Sequence, residues 1–121
     1  MPSVQQAIDA IEASRDVHKE AWAKLTDVIA EKALLAEDYD DERLLRATAS
    51  RRVTHYGGVL ANLRAANTVV SAPTREEIRT VARLIKEVRD MTIASAITSA
   101  GITFITNSLT TSVKAAKKVQ V

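Results

Sequence analysis

There is no cysteine among the 121 residues, so neither a disulfide framework nor a thiolate metal site can form. Two prolines and three glycines are the only strong helix breakers. Aromatic residues number four: one Trp, two Tyr and one Phe. That leaves few platforms on which nucleic-acid bases could stack. The pair Gly57-Gly58 stands alone, without the further glycines and the lysine of a phosphate-cradling loop. Neither histidine, His18 or His55, has a glutamate three residues before it, the spacing that carboxylate-bridged metal bundles use. No Ser-His-Asp or Cys-His set can be assembled. These absences point away from an enzyme; no catalytic residue, metal ligand or cofactor is expected.

Charge is absent in one place. "MTIASAITSAGITFITNSLTTSV", residues 91–113, has no charged side chain in 23 positions, although 26% of the chain is charged. The start, "MPSVQQAIDAIEASRD", has neither the basic opening nor the apolar run of a secretory signal. With no cysteine, the expected location is the cytoplasm, with membrane association as the alternative.

What remains is rich in helix formers, and no segment alternates as a strand would. Ser3-Val4-Gln5-Gln6 and Thr74-Arg75-Glu76-Glu77 have capping-box spacing. Pro73 stops whatever precedes the second box, and the acids from Glu37 to Glu42 suit a turn followed by a helix start. The expectation is a single all-α domain, a bundle of three long helices at about 4–36, 41–71 and 75–118, the last bending near 90–101.

Each helix carries steps of four and three, the seam of a left-handed, coiled-coil-like bundle. In the first the seam reads Val4, Ile8, Ile11, Arg15, His18, Trp22, Leu25, Ile29; in the second Leu45, Ala49, Arg52, Tyr56, Val59, Leu63, Ala66, Val70. The second seam keeps its phase through Gly57-Gly58, so the helix is expected to continue there. In a hairpin turning near residue 38, both glycines face His18, one turn from Trp22. A close helix crossing at Gly57, Gly58, His18 and Trp22 follows, with small residues making room for large ones. His18 is read as a packed core residue, and Arg15 is assigned a register-fixing pair with Glu87.

The third seam runs through Ile78, Val81, Ile85, Val88, Thr92, Ser95, Ser99, Ile102, Thr106, Leu109 and Val113. A second row, Ile93, Ile97, Ala100 and Phe104, with Ile105 at its edge, replaces the charged outer face upstream. A lone bundle needs one apolar stripe per helix, so this second one is the expected partner contact. The partner would be a second copy or another helical protein. Membrane contact is the alternative, since 23 helical residues span about 34 Å, yet the many Ser and Thr make the stretch modestly apolar. The last turns, with Lys114, Lys117 and Lys118, are expected to project beyond the bundle.

Residues 1–42 carry eleven acids and four bases, whereas Arg43, Arg46, Arg51, Arg52 and Arg64 have no acid among them through residue 72. An acidic helix beside a basic one favours the hairpin. Nucleic acid is not expected as a partner.

Overall fold

The computed structural model describes all 121 residues and is 79% helical. Five helices form: α1 (Val4–Leu34), α2 (Asp40–Ala65), α3 (Arg75–Asp90), α4 (Ile93–Ala96) and α5 (Ser99–Ala116). Both N-caps read from sequence are in place, but only the second closes as a box, because the Gln6 side chain bonds the Pro73 carbonyl instead of the Ser3 amide. Ser3 Oγ accepts from the Gln6 amide at 3.0 Å, and Thr74 with Glu77 makes a complete reciprocal box. Asp40, Asp41 and Glu42 occupy the first turn of α2, where the helix dipole favours them. The hairpin register is close to expectation: Lys32 pairs with Glu42 at 2.8 Å, and Arg64 reaches Glu12 at 3.9 Å.

The bundle class is as the sequence indicates, but α2 ends at Ala65 rather than near 71. Ala66 is extended, and Val70 and Ser71 bond to Gln120 instead. The third helix is not a rod. It stops at Met91, makes the single turn of α4, stops again at Ile97, and returns as α5. Two threonines make these breaks. Thr92 Oγ1 accepts from the Ser95 amide at 3.1 Å, and Thr98 Oγ1 accepts from the Gly101 amide at 3.0 Å. Each therefore starts a new helix as an N-cap.

The return leg is tightly pinned. Backbone bonds join Gln120 to Val70 and Ser71, Ser71 Oγ donates to the Lys118 carbonyl at 2.6 Å, and Lys118 pairs with Glu77. The expected overhang of Lys114, Lys117 and Lys118 is thus replaced by a leg docked against its own bundle.

Helix α1 is the hub: α2, α3, α4 and α5 all pack on it, while α2 and α3 do not meet. Consequently more than one stripe of α1 is buried. Ala7, Ala10, Ala13, Val17, Ala21, Leu25 and Val28 are all inside, the alanines letting several neighbours approach one helix. α3 runs parallel to α1, with Gln6 Nε2 donating to the Pro73 carbonyl at one end and Lys24 Nζ to the Arg89 carbonyl at the other. That register gives Arg15 to Asp16 (3.1 Å) and Glu87 to Arg83 (3.6 Å); the Arg15–Glu87 pair does not form.

Candidate functional site

Two surfaces merit description, at opposite ends of α5. The first is the elbow formed by α4 and the start of α5. Here the five expected contact residues are separated. Ile105 is fully buried among Leu25, Val81, Val88 and Leu109, so it belongs to the core rather than to a contact surface. Phe104 is half-buried and leans on that same core. Ile93 and Ile97 are half-buried and Ala100 is exposed. Ala100 and Phe104 line a cleft of about 470 Å³ beside α3, with Met91 and the carboxylates Glu87 and Asp90. Ile97 faces another hollow, beside Lys32 and Glu42. The fold-back therefore shelters part of the second apolar row within one chain. The small-residue positions of the expected seam, Thr92, Ser95 and Ser99, lie outside. Ser108 and Ser112 go inside instead, each donating to a carbonyl of its own helix, Phe104 and Leu109, at 2.8 Å.

The elbow depends on Gly101. A Cβ there would overlap the Ser95 carbonyl oxygen and come within 2.8 Å of the Ala96 Cα. The start of α5 lies this close to α4 because nothing projects between them.

The close crossing expected at Gly57, Gly58, His18 and Trp22 is absent. Both glycines are exposed, with no atom within 4 Å of where a Cβ would stand. α2 does continue through them, but they lie on its outer face. Trp22 is 44% exposed, and the Arg46 guanidinium lies 5.9 Å from its ring centroid, within cation–π reach. What His18 meets is the ring of Tyr56, edge-on at 5.4 Å between centroids.

His18 anchors the second surface. It is fully buried; its Nδ1 donates to the Ser14 carbonyl at 2.7 Å and its Nε2 faces Arg52 Nη1 at 3.5 Å. A carbonyl only accepts and a guanidinium only donates, so the proton sits on Nδ1 and the ring is neutral. Burial is the main reason its pKa falls from 6.5 to about 4; the Ser14 bond opposes this and Arg52 adds to it. Ser14 Oγ donates to the Ser112 carbonyl at 2.9 Å, tying α1 to α5. No buried side-chain polar atom is left without a partner. His55, by contrast, is exposed and stacks obliquely on Tyr56 at 5.6 Å.

Above this network lies a groove of about 410 Å³ between α2 and the end of α5. Its floor is apolar, from Ile11, Val59, Val113 and Val119. Arg52, His55 and Lys117 stand around it, and no acid does. Tyr56 lines it too, its pKa raised chiefly by burial against a smaller opposing effect of Arg52. The sequence placed Arg52 and Tyr56 on the inner seam of α2; it gave no sign of Lys117, since the return of α5 was not foreseen.

No helix is long and apolar enough to cross a membrane, and residues 91–113 are divided between α4 and α5. No protein-family model, curated protein or solved structure matches the chain.

Proposed function

We propose that this is a non-enzymatic helical interaction protein, structural or adaptor-like, that self-associates or binds a helical partner through the elbow. One observation carries the reading. An uncharged stretch of chain crosses the elbow between charged neighbours on α3 and the hairpin, with Ala94, Ala100 and Thr103 exposed and Ile93, Ile97 and Phe104 only half covered. Apolar edges that a chain's own fold leaves half open are the usual core of a contact, with polar neighbours as its rim. The contact is narrower than the sequence suggested, since Ile105 takes no part in it.

The test is sedimentation velocity of wild type and Ala100→Glu. Ala100 is exposed, so a carboxylate there leaves the fold intact and places an unpaired charge in the contact. The wild type is expected to sediment as an assembly, or to shift with its helical partner, and Ala100→Glu as a single chain with unchanged helicity. A monomeric wild type that instead floats with liposomes would replace protein contact by lipid contact at the same surface.

A further inference from the structure

The groove between α2 and the end of α5 has a charge pattern unlike any other hollow on the molecule. None of the eight ion pairs includes Arg52 or Lys117. The other hollows lined by Lys or Arg either include acids, as Lys32 with Asp41 and Glu42 or Lys114 and Lys118 with Glu77, or hold one lysine only. Arg52 is half-buried, and its one polar contact within the chain is the long one to neutral His18. A neutral imidazole leaves the guanidinium charge without a balancing partner in the chain. Beside it, Tyr56 is 5% exposed as a residue, and its hydroxyl has no partner in the chain and is open to solvent where the side chain lines the groove. That hydroxyl carries its proton near neutral pH, as any phenol does, and is a free donor.

We propose that this groove binds a small carboxylate carrying an apolar chain. The guanidinium fork of Arg52 receives the carboxylate, the geometry for which arginine is suited. Tyr56 supplies a further donor and Lys117 a second positive charge at the rim. The chain lies along Ile11, Val59 and Val113. A groove of about 410 Å³ falls within the size range of small-molecule sites. Arg52 alone is half-buried in the groove, whereas Lys117 is exposed at the rim, so one recessed cation faces the headgroup and a monoanion leaves no second charge to be desolvated there. The site is independent of the elbow, so either can fail without the other.

The test is titration calorimetry of the full chain with decanoate below its micelle concentration, alongside decyl phosphate, decanol and acetate. A single decanoate is expected to bind, with decanol and acetate each weaker by about tenfold or more, the scale of one charge-assisted contact. Arg52→Gln should weaken decanoate by a similar factor. Because Arg52 also touches His18, Lys117→Glu at an exposed position is the second variant; it should weaken binding several-fold with an unchanged melting curve. No decanoate binding, decanol binding as tightly, or Lys117→Glu without effect would each overturn the site. Decyl phosphate binding more tightly than decanoate would overturn the carboxylate assignment.

Discussion

Helix α2 carries two glycines with open space where a side chain would go; α5 carries one, with the backbone of α4 pressed against it. The residue type is the same and the consequence opposite. At Gly57 and Gly58 the missing side chain costs helix stability and makes no room for anything. At Gly101 it permits the reversal that turns a linear third helix into a docked fourth leg. A glycine inside a helical pattern is therefore informative only once the atoms opposite it are known.

The contrast can be broken most forcefully at the elbow. Gly101→Ala should destabilise by about 3 kcal/mol or somewhat more, the upper end for overpacking, because rigid backbone has to move. Urea midpoints measure this, and an unchanged midpoint would mean that the elbow yields easily. Acid tests the partner wrongly assigned to the glycines. His18 is neutral when folded and has its pKa lowered to about 4. Between about pH 6.5 and 4 the unfolded chain therefore binds the extra proton, and stability falls with pH by an amount on the order of 3 kcal/mol. His18→Gln should remove that part of the acid sensitivity; identical pH profiles would show that the ring stays accessible to protons. Thr98→Ala should cost about 1–2 kcal/mol through the lost cap, and should loosen hydrogen-exchange protection at the start of α5. The smallest effect has the opposite sign. Gly58→Ala should stabilise by just under about 1 kcal/mol, and a lowered melting temperature would reveal a neighbour that the open face does not show.

The hairpin was legible because its signals are local. Ser3 and the acids from Glu37 to Glu42 mark ends, and seam residues such as Ile11, Leu25, Ala49, Tyr56 and Leu63 are inside. Beyond Asp90 the reading fails for one reason. Threonine suits both a helix interior and an N-cap, and Thr92 lies in phase with Val88 and Ser95, so periodicity carried the helix through a break. The spacing Thr98-x-x-Gly101 was an available cap signal that the rhythm obscured. Some assignments made from an unbroken rod then moved, Ile105 to the core and Lys118 to Glu77, while Val81, Val88 and Leu109 of the same seam stayed inside. The hub role of α1 was written in Ala7, Ala10, Ala13 and Ala21, which a single-stripe reading passes over. The groove could not be read at all, since Arg52 and Lys117 come together only through the return of α5.

The bonds between Ser14 and Ser112 and between Ser71 and Gln120 also bear on the order of folding. Ser14 and Ser112 are 98 positions apart, whereas α1 and α2 are joined by a short turn. Closing the longer loops sacrifices more chain freedom before any contact compensates. The first two helices should therefore zip early, and a reporter at Gln120 should register its native environment after one at Trp22.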